Sequence, residues 1–272
     1  MNVGVGLPST ITRRDPALIA RWARHADELP FSCLGAHDRL AWDGYEPMVA
    51  LAVAAGATGR IRLAALAVIA PLRSSALLAK QASSLQAMSA GRFTLGVGIG
   101  PRRDDYELAD VHYAGRGQAM EHVLAEARDL WDGRLGPRPE LLLAGLGDLA
   151  LARMARYADG YVHGGGPPRA FAGAAERARA AWSDLGRPGH PRIVGTGYFA
   201  LGPGAERGLE EARSYYAFLG VFAERMAAGV LTSPGAVVEF LTGYREAGCD
   251  EVVLFPTLAD LDQLDRLTEA FS

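Results

Sequence analysis

Short apolar runs alternate along the chain with segments in which apolar residues recur at helical spacing. Eight such runs lie at residues 3–8, 31–38, 61–70, 93–100, 140–147, 160–165, 193–201 and 251–256. Each is nearly continuous in valine, leucine, isoleucine, alanine and glycine, which is typical of strands that are buried on both faces of a parallel sheet. The pattern therefore predicts eight parallel strands, each followed by a helix.

The segments between the runs carry signals for helix starts and for buried faces. Two dipeptides, Asp15-Pro16 and Ser233-Pro234, each combine a capping side chain with a proline suited to the first helical position. Ser74 or Ser75 can cap another helix. The predicted buried faces are Leu18, Trp22, Ala26 and Leu29; Met120, Val123, Leu124, Ala127, Leu130 and Trp131; Val237, Val238, Leu241 and Tyr244; and Leu261, Leu264, Leu267 and Phe271.

The number of strand–helix units predicts the fold. Eight units in 272 residues fit one (β/α)8 TIM barrel, and the hydrophobic share of 49% is ample for a single core. No linker or low-complexity tract divides the sequence. We therefore predict an α/β fold with one TIM-barrel domain over residues 1–272, with a doubly wound open sheet as the alternative. In a closed parallel barrel, the C-terminal ends of the strands build the functional site.

Composition excludes several classes of function. The 28 basic and 31 acidic side chains are interspersed and give a formal net charge of -3, which argues against a nucleic-acid-binding surface. No apolar run is long enough to span a membrane, and no signal peptide precedes the first predicted strand, so we expect a cytoplasmic protein. The two cysteines, Cys33 and Cys249, do not form a disulfide framework, and the six histidines lack metal-ligand spacing, so we expect no metal site.

The first candidate for catalysis lies where the second predicted strand ends, at His37 and Asp38. A histidine at the C-terminal end of a barrel strand is well placed to transfer protons or to hydrogen-bond a bound ring. Asp38 could orient that imidazole or bind substrate. Alternatively, Asp38 and Arg39 form a structural ion pair and His37 is a rim residue.

Glycine-rich strand ends are the second group of candidates. Gly96-Val97-Gly98-Ile99-Gly100 closes the fourth predicted strand, but its spacing differs from the dinucleotide fingerprint. Ala144-Gly145-Leu146-Gly147 and His163-Gly164-Gly165-Gly166 each precede a predicted helix. Such turns direct backbone N–H groups and a helix N-terminus towards an anion, as a phosphate site requires. The alternative for both is ordinary turn chemistry.

Several stretches together resemble the bacterial luciferase-like superfamily of flavin- and deazaflavin-dependent oxidoreductases. They are Thr58-Gly59-Arg60-Ile61-Arg62-Leu63, Pro71-Leu72-Arg73, Ala79-Lys80-Gln81, Ser89-Ala90-Gly91-Arg92-Phe93, Leu95-Gly96-Val97-Gly98-Ile99-Gly100, Asp104-Asp105-Tyr106 and Ala155-Arg156-Tyr157-Ala158-Asp159-Gly160. The resemblance covers nearly the whole chain, and its most specific part is the Ser-x-Gly-Arg-aromatic-x-Leu-Gly-x-Gly run.

The resemblance implies where a cofactor binds. Reduced FMN, or alternatively coenzyme F420, would lie across the barrel mouth, with its phosphate held by the loops after the fifth and sixth strands. The family often has a non-proline cis peptide in the third strand beneath the ring, and the match here is Leu66-Ala67. The cofactor-binding residues that we expect are Leu66, Ala67, Gly98, Gly100, Gly145, Leu146, Gly147, His163 and Gly164.

One departure from the family leaves the catalytic group open. Family members commonly have Glu-His-His or Ser-Asp-His where this chain has Ala36-His37-Asp38. His37 matches the first histidine of the former pattern, whereas the histidine of the latter falls on Asp38. We expect His37 to act as the catalytic base, with Asp38 assisting it.

Three functions follow from the resemblance. The first is a reduced-FMN monooxygenase that acts on a small apolar or aromatic substrate and that could receive its flavin from a separate reductase. The second is an F420-dependent hydride-transfer enzyme, and the third is a catalytically silent flavin-binding barrel. Residues 101–117 are a candidate lid, and a homodimer is expected. We expect six residues to line the mouth, namely Leu7, Pro8, Trp42, Tyr198, Phe199 and Phe255, and four of them, Leu7, Trp42, Tyr198 and Phe255, to form the substrate pocket.

Overall fold

All eight predicted strand runs form parallel strands, and these close into a ring. A computed structural model describes residues 1–11 and 15–272. The barrel strands are β1 (Asn2–Gly6), β2 (Cys33–Ala36), β3 (Arg62–Ile69), β4 (Phe93–Gly98), β5 (Glu140–Ala144), β6 (Gly160–His163), β7 (Arg192–Phe199) and β9 (Glu251–Pro256). Strand β1 pairs with β2 and with β9, while β7 pairs with β6 and with β9. This closure confirms the TIM barrel and excludes the open sheet.

The strands differ from the sequence prediction mainly at their C-terminal ends. Strands β2, β4 and β5 each end two or three residues before the predicted limit, and the residues left over form the loops of the barrel mouth. A short strand that the pattern missed, β8 (Val230–Leu231), pairs in parallel with the end of β7. Two residues are too few to produce a recognisable apolar run.

Helices surround the barrel. In the described part of the chain they are α1 (Leu18–Glu28), α2 (Pro47–Ala57), α3 (Ser75–Met88), α4 (Arg103–Leu108), α5 (Arg116–Gly133), α6 (Asp148–Tyr157), α7 (Pro168–Asp184), α8 (Ala205–Tyr215), α9 (Ala223–Ala227), α10 (Pro234–Glu246) and α11 (Asp262–Phe271), with 3-10 turns at Ala70–Leu72 and Ala217–Phe222. None of the helices within residues 1–11 and 15–272 is both long and apolar enough to cross a membrane.

The helix signals in the sequence were mostly correct. Ser74 and Ser233 cap α3 and α10, because each hydroxyl accepts a hydrogen bond from an N–H group of the first turn. Asp15 does not cap α1 directly: the helix begins at Leu18, and the Asp15 carboxylate accepts a hydrogen bond from Ala17 N at 2.9 Å in the preceding turn. The prediction for Val238 was wrong as well, since it faces outwards and Phe240 takes its place in the core.

The N-terminal end of the barrel is closed by a cluster of charged side chains around Glu251. This buried carboxylate accepts hydrogen bonds from Ser32 Oγ at 2.5 Å and from Arg62 at 2.6 Å, and it pairs with Arg192. Arg192 also pairs with Glu140. Because four strands (β3, β5, β7 and β9) and the loop before β2 contribute to it, the cluster links strands around the N-terminal end of the barrel. The two cysteines are free and buried.

Candidate active site

A pocket of about 200 Å³ opens at the C-terminal ends of the barrel strands. Barrel strands and the loops after them supply His37, Asp38, Leu66, Ala67, Ile69, Gly98, Gly100, Ala144, Val162, Gly164, Thr196 and Tyr198. The wall is completed by further residues of the loops after β2 and β4, by α4 and by the end of α8 and the segment after it. These residues are Arg39, Pro101, Arg102, Asp105, Tyr215, Tyr216 and Phe218. The position agrees with the general rule that parallel barrels build their sites at this end.

The floor of the pocket consists of small residues. A Cβ atom at Gly98 would lie only 3.5 Å from the Ala144 Cβ atom and 3.8 Å from the Ala67 Cβ atom, whereas one at Gly164 would meet nothing within 4 Å. The Leu66–Ala67 peptide bond is cis, as the resemblance implies, and the register of β3 against β4 shifts between Ala65 and Val68. Such a floor leaves room for a planar ring against the backbone, so it fits an isoalloxazine-type cofactor.

His37 is held beside this floor in one tautomer. Its Nδ1 atom lies 2.6 Å from the Leu66 carbonyl oxygen, which can only accept, so Nδ1 carries the proton. The ring stacks on Phe255 with centroids 3.6 Å apart. Burial lowers the pKa of His37 to about 4, which leaves the imidazole neutral near pH 7 and its Nε2 free to accept a hydrogen bond.

Two tyrosines extend the hydrogen-bonding of His37 to the pocket wall. The Tyr198 hydroxyl donates to His37 Nε2 at 3.1 Å, and the Tyr216 hydroxyl donates to the Tyr198 oxygen at 2.8 Å. Burial raises the pKa of Tyr216 to about 12 and raises the pKa of Tyr198 as well. Both phenols therefore keep their protons. The chain of donors therefore runs in one direction, from Tyr216 through Tyr198 to the imidazole.

The lowered pKa of His37 predicts a dependence of stability on pH. Between about pH 6.5 and pH 4 the unfolded chain protonates this histidine while the folded protein does not, so the free energy of unfolding must fall as the pH falls. The full effect is at most about 3 kcal/mol. We expect chemical denaturation of His37→Gln to show a flatter pH profile in this window than that of the wild type. Parallel profiles would contradict a buried neutral imidazole.

Asp38 lies close to His37 in sequence, but its carboxylate has other partners. Its Oδ2 atom accepts hydrogen bonds from Ile69 N at 2.9 Å and from Arg73 at 2.8 Å, and the other end of the Arg73 guanidinium lies 2.8 Å from Glu46. The alternative of a structural ion pair was therefore correct in kind but wrong in partner, because Arg73 takes the place of Arg39. This network joins β2, β3 and the start of α2.

The loop after β5 borders a second cavity, which meets the first at Ala144. Gly145, Leu146 and Gly147 line it together with Arg116 and Arg153. Gly145 has a φ of 155°, and a Cβ atom there would lie 2.4 Å from that of Ala150. The loop thus needs glycine, and it leads into the N-terminus of α6 with two guanidinium groups nearby. These features fit a phosphate site.

The loop after β6 contributes differently. Gly164 lines the first pocket, but the His163 side chain is buried behind the loop, with Nδ1 3.2 Å from the Tyr161 hydroxyl. Its Nε2 atom is buried against the backbone of the same loop, near Gly165 and about 4 Å from a Cβ position at Gly166. The loop therefore contributes Gly164, and not the His163 side chain, to the first pocket.

Comparison with known proteins places this geometry in a family. A family model described as luciferase-like monooxygenase matches residues 1–248. The chain belongs to the luciferase-like monooxygenase family. This confirms the resemblance found in the sequence.

Individual relatives match a shorter stretch. An uncharacterized protein of Mycobacterium tuberculosis is 37% identical over 142 residues, which cover 45% of this chain and 49% of the relative. Pyrimidine monooxygenase RutA of Stutzerimonas stutzeri is 31% identical over 169 residues, which cover 52% of this chain and 47% of RutA. The chain thus spans about half the length of the curated relatives that it matches.

Solved structures with low sequence identity share the fold over the whole chain. An F420-dependent secondary alcohol dehydrogenase in complex with an F420-acetone adduct has a TM-score of 0.84 at 14% identity and covers 99% of this chain and 98% of that one. The oxygenating constituent of 3,6-diketocamphane monooxygenase from Pseudomonas putida, in complex with FMN, has a TM-score of 0.78 at 16% identity and covers 98% and 96%.

Within this luciferase-like barrel, the predicted substrate pocket needs correction. Only Tyr198 of the four predicted residues lines the first pocket described above. Leu7 and Phe255 are buried in the core, and Phe255 reaches the site only by supporting His37. Trp42 packs edge-on against Tyr215 behind the wall. Leu7 packs in the main core and Phe255 in a second buried cluster with Leu66 and Val253, a placement that composition does not reveal.

The candidate lid, residues 101–117, packs against the mouth rather than extending into solvent. Arg102 and Asp105 line the pocket, and the buried Tyr106 hydroxyl hydrogen-bonds the Ile99 carbonyl oxygen. Arg103 and Arg116 instead lie over the ring of Tyr113. Closure of this segment remains a prediction.

The sequence reasoning missed a group of wall residues. Tyr215 is the last residue of α8, and Tyr216 follows it. Phe218 belongs to the 3-10 segment Ala217–Phe222. Arg39 lies among these aromatic rings, with its guanidinium carbon 4.6 Å from the Tyr215 centroid. The paired tyrosines were a signal in the sequence, but an aromatic pair is equally typical of a helix packed on a core. In the described residues, no group of three or more His, Cys, Asp or Glu is arranged to hold a metal ion.

Proposed function

We propose that this protein is a flavin-dependent monooxygenase that uses reduced FMN to oxidise a small planar substrate. The observation that supports this most is the small-residue floor formed by Ala67, Gly98 and Ala144 beside a neutral histidine. When bound, reduced FMN would supply two electrons to O₂, one oxygen atom of which enters the substrate while the other leaves as water. The protein would supply a dry, shaped pocket and proton transfer.

The residues that would hold FMN follow from the two cavities. The ring would lie on the floor against the Leu66–Ala67 peptide and Gly98, with Gly100 at its edge. The phosphate would be bound by the backbone of Gly145–Gly147, with Arg116 nearby as a counter-charge and Arg153, which pairs with Glu121, at the edge of the cavity. Gly164, in the loop after β6, lines the first pocket, so it would border the part of FMN that links the ring to the phosphate.

His37 would act as the proton-transferring group at this floor. Its Nε2 atom accepts in the free protein, and a proton can reach it from the pocket wall through Tyr216 and Tyr198. Nδ1 is committed to the Leu66 carbonyl oxygen, so the proton would be exchanged at Nε2. In this arrangement Asp38 would stabilise the loop through Arg73 and assist His37 only indirectly.

The main alternative is hydride transfer with F420, whose charged tail requires several unpaired cations at the mouth. Of the arginines near the mouth, Arg73 is paired with Asp38 and Glu46, and Arg102 is paired with Asp104. Arg39, Arg103 and Arg116 lie against aromatic rings instead, so cations remain near the mouth and charge does not separate the two cofactors. The preference for FMN comes from the match to the luciferase-like monooxygenase family.

Titration of the purified protein with FMN and with F420, followed by fluorescence, tests the proposal. We expect a dissociation constant in the micromolar range for reduced FMN and at least about tenfold weaker binding of F420. Tighter binding of F420 would favour the hydride-transfer enzyme. Binding of neither cofactor would favour the catalytically silent barrel.

The phosphate position predicts the effect of crowding the β5–α6 loop. Gly145→Val is expected to weaken FMN binding by about tenfold or more, because the added side chain meets Ala150 and the φ of 155° is unfavourable for valine. Gly173→Ala, in α7 with nothing within 4 Å of the added Cβ, is the matched control. Unchanged FMN affinity in a folded Gly145→Val protein would place the phosphate elsewhere.

We propose that the protein is a homodimer and that a separate flavin reductase supplies its reduced flavin. The support for the dimer is α2, whose sequence PMVALAVAAGA has no charged residue and whose Val49 and Val53 are 61% and 45% exposed. Leu77 of the neighbouring α3 is also exposed. Uncovered apolar surface of this kind is typical of protein–protein contacts.

The dimer proposal predicts a change of mass in solution. Val49→Arg is expected to convert a dimer of the wild type into a monomer in light scattering coupled to size exclusion, because a charge would have to be buried in the contact. Val238→Arg, a substitution at a similarly exposed position of α10, should leave the mass unchanged. A monomeric wild type would contradict the proposal.

A further inference from the structure

Two side chains of opposite charge, each with atoms that lack a hydrogen bond, lie together in the pocket wall. The Arg39 side chain is 8% exposed, and its Nε and one terminal nitrogen have no hydrogen-bond partner in the part of the chain that the structure describes. The Asp105 side chain is fully buried, and its Oδ2 atom likewise lacks a hydrogen bond. Arg39 Nε and Asp105 Oδ2 are 3.9 Å apart, which is too far for a hydrogen bond between them.

The remaining atoms of both groups are fixed. Asp105 Oδ1 accepts a hydrogen bond from Ala41 N at 2.7 Å, and the other terminal nitrogen of Arg39 donates to the Tyr215 carbonyl oxygen at 3.1 Å. Both residues line the pocket. Buried donors and acceptors are rarely left without partners. These atoms have almost no accessible surface in the free protein, so a ligand would reach the donor and the acceptor when the two side chains shift towards it.

The charge balance decides what kind of ligand fits. Arg102 and Asp104 pair with each other, and the Arg102 Nε atom lies 3.8 Å from Asp105 Oδ2. The two arginines and two aspartates together are neutral. An anion at Arg39 would face the Asp105 carboxylate about 4 Å away, so a neutral ligand with its own acceptor and donor is better matched.

The shape of the wall restricts the ligand further. Tyr215, Tyr216 and Phe218 line the pocket beside Arg39, and the Phe218 ring lies 4.0 Å from the guanidinium carbon of Arg102. These rings favour a flat, unsaturated molecule. A cyclic amide presents C=O and N–H on one edge, whereas an open-chain trans amide points them in opposite directions.

We propose that the substrate is a planar heterocycle with a lactam-type edge, whose carbonyl oxygen binds Arg39 and whose N–H group binds Asp105. The proposal rests on the proposed function, in that the flavin ring would occupy the floor and this wall would hold the substrate above it. Arg39 and Asp105 then determine specificity, and neither takes part in the transfer of oxygen.

Isothermal titration with 2-pyridone, N-methyl-2-pyridone and benzoate tests the proposal on FMN-loaded and FMN-free protein. We expect 2-pyridone to bind at least about tenfold more tightly than the other two compounds, because the methyl group blocks the donor and benzoate brings a charge. Equal affinities, tighter binding of benzoate, or no binding of 2-pyridone up to about 10 mM would overturn it.

Two variants give different signatures. Asp105→Asn keeps an oxygen for Ala41 N but loses the acceptor, so it should reduce the preference for 2-pyridone over its N-methyl derivative to about twofold or less. Arg39→Gln should weaken both pyridones by about tenfold and preserve their ratio. Arg103→Gln, which changes an arginine stacked on Tyr113, is the matched control. If Asp105→Asn, like Arg39→Gln, leaves the ratio of the two pyridone affinities unchanged, the proposed contacts are wrong.

FMN binding, followed by fluorescence on the same samples, separates this inference from the function. Normal FMN binding without selection between the pyridones would overturn the lactam-type substrate alone. Selection between the pyridones by a protein that binds no FMN would overturn the monooxygenase and leave the wall's specificity standing.

Discussion

Replacement of His37 by alanine is expected to lower the turnover number by about 100-fold or more. The imidazole is neutral, is fixed in one tautomer by the Leu66 carbonyl oxygen and receives the hydroxyl of Tyr198 at its Nε2 atom. Alanine removes the hydrogen-bond acceptor beside the small-residue floor and also breaks the chain of donors from Tyr216. Turnover is measured as oxygen uptake coupled to product formation, with reduced FMN in excess.

Two further measurements make the result on His37 interpretable. His122→Ala, on the exposed side of α5, should turn over like the wild type, since that side chain is 76% exposed. FMN affinity should change little in His37→Ala, so that a lost rate is not mistaken for lost cofactor. A loss of less than about threefold in turnover would remove His37 from proton transfer.

Glu251→Ala is expected to lower the free energy of unfolding by about 3 kcal/mol. Glu251 is buried and binds Arg62, Arg192 and Ser32 at the closed end of the barrel. Without Glu251, the Arg62 and Arg192 guanidinium groups lose a shared carboxylate partner, and only Arg192 still pairs with Glu140 in this cluster. Because both arginines reach solvent in part, the effect should lie at the lower end of the range for broken buried pairs.

Urea denaturation followed by circular dichroism measures this effect. Glu210→Ala, on the exposed face of α8, is the control and should change the free energy of unfolding by less than about 0.5 kcal/mol. A loss below about 1 kcal/mol in Glu251→Ala would mean that the cluster contributes little to the closure of the barrel.

The fold could be predicted from the sequence because every barrel strand is buried on both faces. A strand such as β3, with the sequence RLAALAVI, is apolar along nearly all of its length, and serine caps mark two of the helices that surround it. Strand β8 was missed because a segment of two residues is too short to show an apolar pattern. Val238 was misplaced because Val237 and Val238 are adjacent and lie four and three positions before Leu241, so the apolar pattern does not show which of them faces the core.

The site was predictable only where strand ends define it. The predicted residues His37, Gly98, Gly100 and Gly164 line the mouth because each ends or follows a barrel strand. Leu66 and Ala67 lie inside β3, and the family resemblance identified them. Arg39, Asp105 and Tyr216 come from loops and helices whose path over the mouth depends on tertiary packing. Phe255 was wrongly placed in the substrate pocket because strand alternation fixes its direction, and a continuous apolar run does not reveal which side chains point to the ring interior.

The two sides of the mouth are anchored to the scaffold very unequally. Arg73 ties the end of β2 to the end of β3 and to the start of α2, whereas the fully described segment Ala217–Phe222 contributes no side chain to the core. Changes in that segment should therefore have little effect on folding. A mutant library confined to residues 217–222 would test whether the choice of bound molecule can be changed while the floor of small residues stays intact, which makes this barrel a practical starting point for protein engineering.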